Sequence, residues 1–318
     1  MAQYAKTPGA MMDRMKIDTK VIDEIASLGG FNLDFLNKNN IPLTIFSELI
    51  AHYHFTIVES EAIKYLMDHY ANVFDEDEKS TLLEVSRYFL NYYNNLENTK
   101  DNASLLKLAE IFVDSYENFY ILQGKKFEPL VFNNFTSAKI LDLCSGPDFI
   151  NFIPSINDTN QYYCIDKSLF VRNVIQYQCK KYNSDNIKVI QDTNTNFLNH
   201  KICKDFNCIR AKNVFKYDND FCSTVRIYFN RILSKGAMIF QETSCLNAFE
   251  YYIQMSGFIE MCRYFIYSGC NFEYTKGEKN NEISFDTLTF CKNNIPDTEI
   301  EWNRFSKFIR DRNNYTTS

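Results

Sequence analysis

One stretch of the chain has the residue types and spacing to hold an anionic ligand: Ile140-Leu141-Asp142-Leu143-Cys144-Ser145-Gly146-Pro147-Asp148. A short apolar run ends in a sharp turn, and a helix is expected directly after it. Free N–H groups at a helix N-terminus attract the anionic part of a ligand. Gly146 lets the backbone approach that ligand, and Pro147 pre-sets φ for helix entry. Asp148 has two readings, an acid that complements the helix dipole or a charged group turned toward the ligand.

Such a turn works only at the carboxyl end of a buried strand, and the sequence supplies one. Apolar runs recur at Ala138–Leu143, Tyr162–Ile165, Lys188–Ile190, Cys208–Ala211 and Ala237–Gln241, with further strands expected at Asn271–Lys276 and Phe285–Cys291. Helical periodicity falls between them, at Leu169–Tyr182, Asp220–Leu233 and Asn247–Tyr267. Strand-helix alternation of this kind predicts a doubly wound, Rossmann-like α/β sheet of seven strands, its last two forming an antiparallel hairpin. In such sheets ligands bind outside the carboxyl ends of the strands. Trp302, Phe305, Phe308 and Ile309 share one face of a final helix expected to pack on the core.

The front of the chain reads differently. Helical spacing recurs through Leu43–Tyr53, Ala62–Phe74, the run from Asp75 to Tyr92 and Ser104–Tyr120, with little strand-like alternation before Pro129. The reading is an all-α domain over 1–130, followed by the α/β domain over 131–318. Tyr88, Phe89, Tyr92, Tyr93, Tyr116 and Phe119 supply either a helix–helix core or an aromatic wall for a substrate.

Composition narrows the classes. A net charge of −6 argues against a broad basic face, so no nucleic-acid partner is expected. No run approaches the roughly 18 apolar residues of a membrane span, and the N-terminal MAQYAKTPGAMMDRMK has no apolar core of a secretion signal. The ten cysteines form no C-x-x-C pair. They are expected to be free thiols in a cytoplasmic protein, with no metal site.

At Ile140–Asp148 the sequence resembles the class I S-adenosylmethionine (SAM)-dependent methyltransferases, whose first motif runs I/V-L-D-L-G-C-G-P-G. The likeness continues through Tyr163-Cys164-Ile165-Asp166 and Ile190-Gln191-Asp192. It extends to Ile209-Arg210-Ala211-Lys212-Asn213-Val214-Phe215 and Arg231-Ile232-Leu233-Ser234-Lys235-Gly236-Ala237. The resemblance implies SAM as cofactor, with Asp142, Cys144, Ser145, Gly146, Asp148, Asp166, Asp192, Lys212 and Asn213 around it. Asp166 would hold both ribose hydroxyls, since a carboxylate accepts two hydrogen bonds from a diol. Asp192 would reach the adenine amino group. Cys144 and Asp148 depart from the motif, standing where glycines are usual.

A helical front before a SAM fold resembles the small-molecule O-methyltransferases, in which that domain dimerises and closes over the acceptor. This implies a small-molecule acceptor, a possible homodimer through the helical domain, and no membrane partner. The family's catalytic His is replaced here by Phe215, so its base does not carry over. Lys216, Tyr217 and Glu242 are the candidates for contacting the acceptor, whereas His52, His54 and His200 read as surface or interdomain residues. Three other readings stay open. Nicotianamine-synthase-like proteins share the Ser145-Gly146-Pro147 turn and transfer an aminopropyl group. Chemotaxis-receptor methyltransferases share the helical front but have a different first motif. A degenerate SAM fold would serve as an interaction protein without catalysis.

Overall fold

The computed structural model describes residues 64, 76, 87, 90, 91, 93–122, 135–146, 157–212, 221–243, 256–277 and 285–313. By its internal contacts the chain forms two compact units. One comprises Met1–Lys125, Gly146–Asn151 and Ser168–Tyr182; the other comprises Lys126–Ser145, Phe152–Lys167 and Asn183–Ser318.

The second unit carries a seven-stranded sheet built from β1 (Lys139–Leu143), β2 (Gln161–Asp166), β3 (Ile187–Gln191), β4 (Phe206–Lys212), β5 (Ile232–Thr243), β6 (Cys270–Thr275) and β7 (Phe285–Lys292). Their spatial order is β3-β2-β1-β4-β5-β7-β6. The first five pair in parallel, and β7 runs antiparallel between β5 and β6. This is the doubly wound Rossmann-like sheet, antiparallel last hairpin included, that the sequence pattern predicts. The physical reason is visible in burial. Ile140, Leu141 and Leu143 of β1 and Cys208, Ile209 and Ala211 of β4 are fully buried, as central parallel strands covered on both faces must be. Edge strand β3 is only partly covered.

Strand order reverses between β1 and β4. From β1 the chain moves outward to β2 and β3, then returns to lay β4 and β5 on the other side. The carboxyl ends of β1 and β4, where the order reverses, are the usual ligand position in such sheets.

Among the described residues, α4 (Phe221–Phe229), α5 (Ser256–Tyr267) and α6 (Thr298–Asn313) pack into the core of this unit. Phe229 stacks on Phe265 at 4.3 Å between ring centroids, and Phe265 meets Phe290 edge-on at 5.2 Å. Phe305 is fully buried against Phe272, with Trp302, Phe308 and Ile309 partly buried around it, so the last helix does close the core. A short helix, α3 (Asn194–Phe197), follows β3 without a clear sequence signal.

The first unit is helical where it is described. Residues 93–99 are helical, followed by α1 (Asn102–Leu122), and α2 (Leu169–Lys181) belongs to the same unit. Asp101 caps α1, accepting from Ser104 N at 3.2 Å and from Ser104 Oγ at 2.9 Å. Phe170 of α2 meets the rings of Tyr93 and Phe112 edge-on, at 5.3 and 5.6 Å. Tyr93 is therefore a core residue, as the plainer of its two readings has it. The helices expected at Leu43–Tyr53 and Ala62–Phe74 lie almost entirely outside the described residues.

One boundary differs from its sequence expectation. Periodicity carries α4 to Leu233, yet the helix stops at Phe229 and Ile232 already pairs with Phe206. The ladder then resumes at Cys208↔Ala237, so the residues between Ile232 and Ala237 stand opposite Asn207 alone. Lys235 absorbs the irregularity with φ +67°. A Cβ on Gly236 would lie 2.5 Å from Ile232 Cγ2 and 2.6 Å from the Asn207 carbonyl oxygen. Gly236→Ala must therefore push backbone apart at the start of β5. It should lower stability by about 2 kcal/mol or more, read as a fall in the urea midpoint at unchanged m-value.

Candidate functional site

Three neighbouring strand ends share that edge of the sheet. β1 gives way to Cys144, Ser145 and Gly146, β2 ends at Asp166, and Asp192 follows β3 directly. Neighbouring strands lie about 4.8 Å apart, so the three groups span a distance suited to a nucleoside. The ladder holds them level. Leu143 pairs with Ile165 and Asp166 with Gln191, while Asp192 N donates to the Asp166 carbonyl at 3.0 Å.

The turn after β1 is made by two left-handed residues. Cys144 has φ +52° and Gly146 φ +67°. Position 144 therefore asks for the conformation that the related motif meets with glycine, and Cys adopts it without one. Its thiol accepts from Asn194 Nδ2 at 2.9 Å, and Tyr228 Oη donates to the Asn194 carbonyl at 2.5 Å. The chain Tyr228–Asn194–Cys144 thus ties this turn to the start of α3. Burial pushes the Cys144 thiol up to about 12, so it stays protonated and unreactive at neutral pH.

Two residues of the motif face inward. Asp142 is 1% exposed and grips Arg210 with both oxygens, at 2.6 Å to Nε and 2.8 Å to Nη2. Arg210 is completely buried and adds a bond from Nη1 to Gln241 Oε1 at 3.3 Å. Gln241 in turn donates to Thr287 Oγ1 at 3.4 Å. A polar row therefore crosses β1, β4, β5 and β7. Ser145 is equally occupied: its N donates to the Ile165 carbonyl at 3.0 Å and its hydroxyl to the Asp142 carbonyl at 3.2 Å. Both residues are thus engaged in building the turn itself.

Lys212 and Glu242 lie buried at the ends of β4 and β5. Burial pushes the Lys212 amine down to about 7, while the carboxylates of Asp142 and Glu242 pull it the other way. Asp142, Arg210, Lys212 and Glu242 thus bring two acids and two bases into the buried interior of β1, β4 and β5.

Asp166 is half-buried. Asp192 accepts from Thr193 N at 2.8 Å through one oxygen and pairs with His200 Nε2 at 2.8 Å through the other. His200 is 44% exposed and its ring lies against Phe197, a surface position as the sequence suggests. Asp148, Asn213, Lys216 and Tyr217 lie outside the described residues. Among the described residues no cluster of His, Cys, Asp and Glu is suited to a metal ion, and no helix is long and apolar enough to cross a membrane.

Sequence reasoning did not single out Arg210, Asn194 or Glu97, whose carboxylate accepts from Ser168 Oγ and Phe170 N at the start of α2. Arg210 had a signal: an arginine inside an apolar strand run needs a buried acid, and Asp142 is the acid inside the other apolar run. Asn194 and Glu97 had none, because their partners are far away in the chain.

No family model matches the sequence, and neither does any curated protein. Solved structures with a similar fold include a protein described as a candidate SAM-dependent methyltransferase from Methanococcus maripaludis, 14% identical, covering 57% of this chain and 93% of that one, with a TM-score of 0.39. Precorrin-6y C5,15-methyltransferase from Geobacter metallireducens is 10% identical over 51% of this chain and 84% of its own, with a TM-score of 0.37. An rRNA methylase from Streptococcus thermophilus is 10% identical over 49% and 87%, with a TM-score of 0.35.

Two outcomes test the buried cluster. Arg210→Met leaves the Asp142 carboxylate buried without its guanidinium and should lose about 3–5 kcal/mol in stability. Adding Asp142→Asn should return much of that loss in urea unfolding, because the carboxylate that Arg210 compensated is then gone as well. Lys212 should leave a pH signature. Its value near 7 lies below the ordinary 10.5, so the unfolded chain binds more protons between those limits and the Lys212 contribution to stability rises with pH across them. The stability difference between wild type and Lys212→Met should therefore shift in favour of the wild type from pH 7 upward. A difference that stays flat from pH 7 to pH 9 would contradict the buried amine.

Proposed function

We propose that this chain is an enzyme that binds SAM across the ends of β1, β2 and β3 and transfers its methyl group to a small-molecule acceptor. One observation carries the reading: a left-handed turn at Cys144–Gly146 stands level with two carboxylates, Asp166 and Asp192, on successive strand ends. A nucleoside with a charged amino-acid tail has complementary chemistry. A ribose diol suits Asp166, a base amino group suits Asp192, and the tail suits the turn at Gly146, with Asp148 following in sequence.

The departure at Cys144 does not count against the reading, because the turn keeps a glycine-like path at that position. SAM supplies a methyl group on a positively charged sulfur. The chain's own part is to hold the sulfonium in line with an acceptor lone pair and to keep water away. The turn at Cys144–Gly146, Asp166 and Asp192 would hold SAM, whose sulfonium would supply an electrophilic methyl group and leave as a neutral thioether. Lys216, Tyr217 and Glu242 are proposed to face the acceptor, with Asn213 and Lys212 on the cofactor side. The division into a helical front over 1–130 and a cofactor-binding part over 131–318 belongs to the same proposal, as do a cytoplasmic setting and a homodimer through the helical front.

Calorimetry with S-adenosylhomocysteine should give a one-site isotherm. Asp166→Ala should weaken it by about 1.5–3 kcal/mol, the scale of hydrogen bonds to a charged group. Absence of binding in the wild type, by heat and by thermal shift, would overturn the cofactor. Incubating the protein with SAM and a small-molecule extract should yield S-adenosylhomocysteine and a methylated product. Release of 5′-methylthioadenosine would move the reaction to aminopropyl transfer, and methyl incorporation into RNA would replace the acceptor class.

A further inference from the structure

We infer that His200 is a positioning residue for recognition of the cofactor's base, acting through the carboxylate of Asp192; the inference rests on the SAM reading above. That carboxylate is held on both oxygens. Its Oδ1 accepts from Thr193 N at 2.8 Å, and its Oδ2 accepts from His200 Nε2 at 2.8 Å. A bond to one oxygen alone leaves a carboxylate free to swing about its broad terminal torsion. Bonds to both oxygens fix its plane. A carboxylate offers about four lone-pair sites, so acceptor capacity is left on each oxygen for a ligand amino group.

The chain after β3 is shaped to return His200 to Asp192. Thr193 caps α3, its hydroxyl accepting from Asn196 N at 3.1 Å. Two successive turns then reverse the backbone: Asn199 N donates to the Asn196 carbonyl and His200 N to the Phe197 carbonyl, each at 3.0 Å. Phe197 is fully buried, and the His200 ring lies 5.1 Å from it between centroids, which seats the imidazole. The His200 carbonyl accepts from Cys203 N at 2.9 Å. Through Asn194, α3 is itself moored to Cys144 and Tyr228. Asp166, Asp192, α3, His200 and Cys144 all belong to the same compact unit.

The strand ladder does not do this work. The bond from Asp192 N to the Asp166 carbonyl sets where the residue starts, and leaves the direction of its carboxylate to Thr193 and His200. Plain stabilisation does not account for the pair either. His200 is 44% exposed, and a pair so open to water adds little to folding. The Asp192 side chain keeps 15% of its surface exposed, so the carboxylate is held and still reachable. With His200 in place its remaining lone pairs point one way, which lowers the ordering cost of binding. Without it, Oδ2 is released, the carboxylate pivots on the Thr193 bond, and the base amino group loses a fixed acceptor.

A double-mutant cycle on the full-length protein tests this. S-adenosylhomocysteine affinity is measured by calorimetry for wild type, His200→Phe, His200→Gln, Asp192→Ala and the pair His200→Phe with Asp192→Ala, with urea midpoints alongside. Phe keeps a ring against Phe197 and removes the donor, whereas Gln restores an N–H donor. His200→Phe should weaken binding about fivefold, the scale of one hydrogen bond, at an unchanged urea midpoint. It should add little once Asp192 is gone. His200→Gln should keep most of the wild-type affinity. Should His200→Phe fail to fold, His200→Ala takes its place with the same expectation. Equal losses with and without Asp192, or a loss that Gln does not repair, overturn the inference. If Asp192→Ala weakens binding and His200→Phe does not, the base contact stands and positioning alone fails. If Asp192→Ala leaves affinity unchanged, the base contact fails and His200 falls with it. No binding in the wild type removes the SAM reading itself.

Discussion

Asp142 and Arg210 face each other across β1 and β4 with neither charge in contact with water, and the middle of the sheet is built around that fact. Removing two ions from water costs several kcal/mol each, and only close, well-directed pairing offsets it. The pair therefore acts as a register pin. With Asp142 opposite Arg210, the guanidinium meets both carboxylate oxygens and reaches Gln241. Sliding β4 by one residue would turn Arg210 to the other face and leave both charges buried and apart. An apolar sheet interior alone tolerates such slips far better.

Everything at these strand ends inherits that register. The turn after β1 begins two residues beyond Asp142, and Ser145 binds back to both the Asp142 and Ile165 carbonyls. Asp166 and Asp192 end the next two strands beside that turn. Motif residues that look like ligand contacts in a linear sequence thus divide into two groups. Asp142 and Ser145 are engaged within the fold, and Asp166 and Asp192 stand at the strand ends.

Side chains outside the sheet also hold pieces of backbone in place. Asn194 and Tyr228 brace Cys144, and Glu97 braces the opening of α2. These are single hydrogen bonds or small sets of them. Each acts on a strained or terminal piece of backbone, where a small displacement changes the direction of a side chain most.

The sequence by itself determined the architecture. Runs of buried strand residues alternating with helical periodicity leave few arrangements besides a doubly wound sheet, because parallel strands need crossovers and both faces need cover. It also marked Cys144–Gly146, Asp166 and Asp192, since a turn or an acid at a strand end shows in the local pattern. Tertiary structure alone decided the rest. Arg210 was legible as a charge in an apolar run, but its partner lies 68 residues away. The early start of β5 depends on Phe206 finding Ile232, which overrides the helical periodicity of that stretch. Glu97 looks like any exposed helix acid until α2 is packed beside it. Local patterning reports what a residue prefers, and only packing reports which distant group meets it.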